Sequence, residues 1–504
     1  MSAALEELEK TAAELLQLDR LILLLEWDQG VNMPPGGEQD RALQVEMLTS
    51  LRHRRLTDRR TGEVIDSAWQ ESLDPDQRAG VRELKREYER ATKLSSELVQ
   101  ALARASVEGY SAWSVARPAN DFSALQPALE RMISLKREAA EQLGYSREPY
   151  DALFDEYEPG ATVAEFEPML TNLASELSPL LDAVLAKQHH APTLPDGPYP
   201  SEVQLVHCKE VAGRLGYDFE RGRIDLTAHP FETGLGCGDV RIATRLMDQN
   251  FTSGLLATVH ETGHGLYDQG LPQQLANNFA GQAISLGLHE SQSRFWENHV
   301  GRSLPFWESE MPRLQSFYPG LSGFDAPAML AAVNHVSRSP IRIEADELTY
   351  LLHIAVRFEI ELALMRGSLE VGELPAAFNQ AMERQLGITP TDDRDGVMQD
   401  VHWAAGLIGY FPTYALGSVY AAALFASAQE DLGGTETVAA AVRAGDHSGL
   451  LGWLQRNVHS RASLVPVREV IHDATGMPVE GPVDTTPFVA HLRDRYLGSP
   501  TSPG

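Results

Sequence analysis

The chain has 504 residues, with 42 Lys plus Arg against 71 Asp plus Glu and a formal net charge of −29. So acidic a surface repels phosphate backbones and anionic lipid, which argues against nucleic acid or a membrane surface as partner. Only two cysteines, Cys208 and Cys237, are present. That excludes a disulfide framework and predicts a reducing, cytoplasmic setting.

In chain order, residues 1–27 read as an amphipathic acidic helix. They lack the basic n-region and cleavage site of a signal peptide, and LILLLEW is too short to span a bilayer. MPPGG (33–37) interrupts the pattern. Helical Ala/Leu/Glu/Arg spacing resumes over roughly 38–56, 76–145, 162–187, 201–215, 349–366 and 414–430. A second break, QHHAPTLPDGPYP (188–200), places His189 and His190 in an exposed Pro-rich loop. One region differs. RIDLTAHPFETGLGCGDVRIATRL (223–246) has short β-branched runs between glycines and predicts a strand–loop–strand unit, whose free edge would suit an extended peptide. The tail is expected to fray from about 497. The whole reads as one mostly α catalytic domain over 1–504.

LLATVHETGHGLY (255–267) carries the chemistry. His260 and His264 stand four apart, so they share a helix face and both reach one tetrahedral Zn²⁺. Glu261 projects about 100° away, unsuited to ligation but placed to take a proton from a water polarised at the metal. Gly263 and Gly265 cost a helix about 1 kcal/mol each relative to Ala, which predicts that something approaches closely there. A catalytic zinc needs a third protein ligand. ISLGLHESQSRFWENH offers His289 or Glu290, adjacent and so unable both to face the metal, with Glu297 as a weaker candidate. Asp268, one turn beyond His264, is placed to orient an imidazole.

EWDQGVNMPPGG (26–37), HPF (229–231), DVRIATR (239–245), HETGH (260–264), HESQ (289–292), IRIEAD (341–346) and GVMQDVHW (396–403) occur in this order along nearly the whole chain. Together they resemble the carboxypeptidase Taq family of zinc metallocarboxypeptidases. The resemblance implies a mostly helical, two-lobed, neurolysin-like body around a deep active-site cleft, with a small β-sheet near the zinc, and a homodimer. It implies one Zn²⁺ per chain, with Co²⁺ able to substitute, held by His260, His264 and Glu290, and water activated by Glu261. One departure is visible. The family pattern DxRxT would put Thr at 243, where this chain has Ala243 followed by Thr244.

An exopeptidase must hold a peptide's free C-terminal carboxylate, for which a positioned arginine is best suited. Arg342 is the family-guided choice and Arg338 the runner-up, with an ion pair to Glu344 or Asp346 as the competing structural role for Arg342. Tyr414, Tyr410 and His402 are candidates to stabilise the oxyanion, Tyr414 preferred. His229 is a candidate to contact substrate or brace the cleft, and Asp239 with Arg241 reads as a supporting pair. The expected function is removal of C-terminal residues from peptides with broad specificity. The alternatives are an endo-acting oligopeptidase on the same scaffold and a non-catalytic metal-binding protein.

Overall fold

The computed structural model describes residues 2–188, 192–195 and 197–498. The expectations for His189, His190 and the tail beyond 498 lie outside these residues. Leu497 is the last residue of the helix Thr486–Leu497. Among the described residues no helix is long and apolar enough to cross a membrane.

The first helix runs Ala3–Val31 from a Ser2 cap, and MPPGG forms a 3₁₀ turn at Pro35–Gly37. The long helical stretch expected over 76–145 is three helices, Pro75–Lys93, Ser96–Ala119 and Phe122–Leu143. Composition hides the breaks, but capping chemistry explains them. Ser95 accepts from the Leu98 amide, Asp121 accepts from the Ala124 amide, and Asn120 takes a left-handed conformation between two of these helices. Most of the helices gather around one large core, spanning Ala116 to Leu492. A smaller cluster under the first helix joins Leu5, Leu15, Ile65 and Leu84 to Phe279.

The unit at 223–246 has three strands rather than two: β1 (Gly222–Leu226), β2 (Phe231–Gly234) and β3 (Val240–Thr244). Their order is β1-β3-β2, with β1 parallel and β2 antiparallel to β3. The short connection at 227–230 conceals the extra strand in the sequence. β2 is an edge strand, as a peptide-binding strand would need to be. Thr244, fully buried, lies 3.1 Å from the Thr258 hydroxyl on the helix Phe251–Gly270. The hydroxyl displaced from position 243 thus joins the sheet to the HETGH helix.

The helix that carries the HETGH motif begins at an Asn250 cap, runs to Gly270 and is buried on most faces. Its glycines are close-approach positions. A Cβ on Gly263 would stand 2.5 Å from the Gln292 carbonyl oxygen and 2.6 Å from Ser293 Cα, on the helix Leu286–Arg294. A Cβ on Gly265 would meet the Tyr217 ring at 2.9 Å. On the far side of Leu286–Arg294, a Cβ on Gly417 would lie 2.5 Å from Glu290 Cγ. Gly417 belongs to the helix Phe411–Asp431. Three helices therefore meet, at close approaches that glycine permits, where the candidate ligands sit.

Gly263→Ala gains about 1 kcal/mol of helix propensity, but it drives a methyl into backbone that cannot give way, at a cost of about 1–3 kcal/mol. The clash dominates, so the variant should melt below the parent. Exposed Gly213 has only Phe219 Cε2 near, at 3.6 Å, and Gly213→Ala should raise stability by about 0.5–1 kcal/mol. Thermal unfolding of the two variants checks both signs.

Candidate metal centre

His260 and His264 point from one face of Phe251–Gly270 toward Glu290, and ligand atoms of all three lie within 4.8 Å of one another. Glu290 Oε2 is 3.5 Å from His260 Nε2 and 3.4 Å from His264 Nε2. A tetrahedral ion with bonds of 2.0–2.1 Å separates its ligand atoms by about 3.3–3.4 Å. The spacing is thus long for hydrogen bonds and right for a shared metal. The adjacent candidate His289 is not in this group.

The imidazole tautomers follow from their partners. Glu297 Oε2 accepts from His260 Nδ1 at 2.9 Å, leaving Nε2 to face Glu290. Asp268 Oδ1 accepts from His289 Nε2 at 3.1 Å, which leaves the other ring nitrogen, Nδ1, to face His264. That atom lies 2.5 Å from His264 Nδ1 and accepts its proton, which frees the lone pair of His264 Nε2 for a metal. Asp268 does orient an imidazole, but at one remove, through His289. Glu297 is an orienting group for His260. The donor set fits a divalent transition metal: two imidazoles with inward lone pairs, one carboxylate oxygen, and each Nδ1 held by a partner.

The surrounding electrostatics sort the protons. Burial lowers the His264 pKa to about 4, keeping it neutral. Burial acts on His260 in the same direction, but Glu290 and Glu297 reverse it and raise the pKa to about 10 in the absence of metal. That proton must leave before a metal can bind. Glu290 is also buried, yet Arg294 and His260 hold its carboxyl well below the usual range. Arg294 Nε donates to the outer oxygen, Glu290 Oε1, at 2.7 Å. Arg302 Nη2 donates to Glu297 Oε1 at 2.9 Å. Glu297 lies in a π-helical turn, Phe295–Gly301, that continues the Leu286–Arg294 helix.

Glu261 is only 7% exposed, and among the described residues its carboxylate has no hydrogen-bond or ion-pair partner. Burial raises its pKa to about 7; His260 opposes the shift, and Glu290 and Glu297 add to it. A cation at the three-ligand site would lower it. On β2, burial together with Asp268 and Glu261 pushes the Glu232 carboxyl well above the usual carboxylate range.

The remaining candidates form a second group on the far side of Glu290. The Arg342 guanidinium is buried. Its Nε and Nη2 donate to Asp400 Oδ1 at 3.1 and 2.7 Å, and its Nη1 donates to the Tyr350 hydroxyl at 3.1 Å. The expected ion-pair partners Glu344 and Asp346 are not the ones found, because Asp346 instead caps the helix Glu347–Arg366. Arg357 shares Asp400, with Nε at 2.7 Å. Two guanidiniums on one carboxylate leave this group net positive. Tyr350 lies between the two arginines, 4.6 Å below Arg294 and hydrogen-bonded to Arg342. Tyr414 lies 5.3 Å from Arg342 and 5.3 Å from the Tyr410 ring. His402 packs against Tyr410, Phe411 and Tyr414, and burial lowers its pKa to about 4.

The other sequence candidates stand apart. Arg338 is bound to Asp182 and the Leu386 carbonyl near the surface. His229 is exposed in the β1–β2 connection. Asp239 and Arg241 form a two-pronged pair at 2.8 Å that stacks on Trp27, tying the EWDQ segment to the sheet. Arg294, Arg302, Tyr350, Arg357, Asp400 and Glu232 were not picked out from sequence. Only the i, i+4 spacing of Glu290 and Arg294 offered a signal.

This fold and donor set define a metallopeptidase. Residues 7–496 match the model of the carboxypeptidase Taq (M32) metallopeptidase family, and the chain belongs to that family. It is 42% identical to thermostable carboxypeptidase 1 of Thermus thermophilus over 98% of both chains. It is 36% identical to carboxypeptidase 1 of Bacillus subtilis over 90% of this chain and 91% of the other. The solved M32 carboxypeptidase of Deinococcus radiodurans R1 superposes with a TM-score of 0.94 at 39% identity, covering 98% of this chain and 99% of its own. The protein is a metallocarboxypeptidase.

If Glu297 fixes His260, Glu297→Ala should weaken metal binding about 10–100-fold while leaving all three ligands in place. Competition against a chromophoric chelator measures this.

Proposed function

We propose a zinc-dependent metallocarboxypeptidase that hydrolyses the C-terminal peptide bond of peptides, with broad specificity. The observation that carries the reading is the spacing of His260, His264 and Glu290 beside the unpartnered carboxylate of Glu261. Two imidazoles and a carboxylate suit Zn²⁺, with Co²⁺ able to substitute. Bound there, one ion per chain would acidify a water and polarise the scissile carbonyl. Glu261 takes the proton from the attacking water and delivers it to the leaving amine. Its buried position makes it a stronger base than an exposed carboxylate.

Tyr414, with Tyr410 and His402 beside it, donates to the developing oxyanion. Arg342 reads the terminal carboxylate. Three of its five N–H groups are engaged, and the Arg342–Arg357–Asp400 group retains a positive charge for an incoming anion. The edge of β2 pairs with the extended backbone of the substrate, and exposed His229 contacts it farther from the metal. Residues 1–504 act as one catalytic domain in a homodimer, in the cytoplasm, on peptides with a free C-terminus. Both cysteines being unpaired supports that compartment.

Glu261→Gln should retain metal and fold while kcat falls about 10²–10⁴-fold. Near-parental turnover would remove Glu261 from the mechanism. A peptide in free-acid form should be shortened residue by residue, as followed by mass spectrometry, and its C-terminal amide should resist. Arg342→Ala should abolish that discrimination. Equal cleavage of both forms by the parent would point to the endo-acting alternative.

A further inference from the structure

Away from the active centre, His299, Glu347 and His491 also bring ligand atoms within 4.8 Å of one another. His299 belongs to the π-helical turn, Glu347 opens the helix Glu347–Arg366, and His491 lies on Thr486–Leu497. The arrangement repeats that around Glu290. An arginine, here Arg495, holds the outer carboxylate oxygen, Glu347 Oε2, at 2.5 Å. The inner oxygen, Oε1, faces His491 Nε2 at 2.9 Å. The His299 ring lies 4.1 Å from that of His491, centroid to centroid. Among the described residues the buried Nδ1 of His299 has no hydrogen-bond partner, although His299 is only 4% exposed. A buried imidazole with an orphaned nitrogen, in a trio whose ligand atoms converge, calls for a ligand. Among the described residues one more such trio occurs, Glu232, Asp268 and His289, but there His289 and Asp268 are already committed to orienting His264.

We propose that His299, Glu347 and His491 form a second site for a divalent transition metal of the zinc type. Two imidazoles and one carboxylate match the donor preference of such ions. The His491–Glu347 pair would open by about 0.4 Å to reach a tetrahedral edge. The site borders a cavity of about 760 Å³ lined in part by His299, Arg302, Phe425 and His491, which leaves room for water at the fourth position. An ion here fastens the C-terminal helix to Glu347–Arg366 and to the turn that also carries Glu297, so its role is to brace the orienting shell of the active centre. The inference does not depend on the peptidase reading.

Protein stripped with chelator, reloaded with Zn²⁺ and desalted is analysed for metal per chain. The parent should hold two ions. His264→Ala, which damages only the active centre, should hold one, and His491→Ala should hold one. Co²⁺ added to His264→Ala should give visible d–d absorption that disappears in His264→Ala/His491→Ala. One ion in the parent with none in His264→Ala would overturn the proposal, as would two ions in His491→Ala. Should His491→Ala fail to fold, the parent and His264→Ala decide the matter between them.

Discussion

The active centre depends on the close approach of three helices. Gly263 lets Phe251–Gly270 touch the backbone of Leu286–Arg294 at Gln292 and Ser293. Gly417 lets Phe411–Asp431 touch the other side at Glu290. A metal ligand set requires its atoms to be placed within a few tenths of an ångström. Here the backbone contact at Gly263 and the close packing of Gly417 on the Glu290 side chain leave little slack in the distances. Two helix glycines are unfavourable locally, and the precision they allow at Glu290 explains why the fold carries them.

The same contact organises the charges. Glu290 accepts from Arg294, Glu297 accepts from His260 and from Arg302, and Asp268 acts on His264 through His289. Glu290 and Glu297 are buried but matched, so both carboxyls are held below the usual range where burial alone would raise them. Glu261 is the exception, buried and unmatched, and its shifted pKa follows from that. Carboxylates a few ångströms apart thus differ in how readily they take a proton because their partners differ, which is the division the proposed roles of Glu290 and Glu261 require.

Much of this was legible in the sequence. The i, i+4 spacing placed His260 and His264 on one face, and the glycines implied close approach. Spacing favoured Glu290 over His289 only modestly, because adjacent residues on an unplaced helix differ only in which way they point. The choice came from resemblance, and the structure shows the reason: His289 faces Asp268 and His264. The partner of Arg342 was missed because Asp400 is 58 residues away and nothing local marks the pairing. The breaks within 76–145 were missed because helix propensity runs through them, while capping by Ser95 and Asp121 decides the boundaries. The connection at 227–230 was too short to separate β1 from β2 by pattern.

The account rests on one ligand set, and anomalous diffraction at the zinc edge from zinc-loaded crystals tests it directly. It predicts a peak within about 2.2 Å of His260 Nε2, His264 Nε2 and Glu290 Oε2, with Glu261 outside bonding distance. A peak ligated by His289 in place of Glu290, or no peak between the Phe251–Gly270 and Leu286–Arg294 helices, would contradict it.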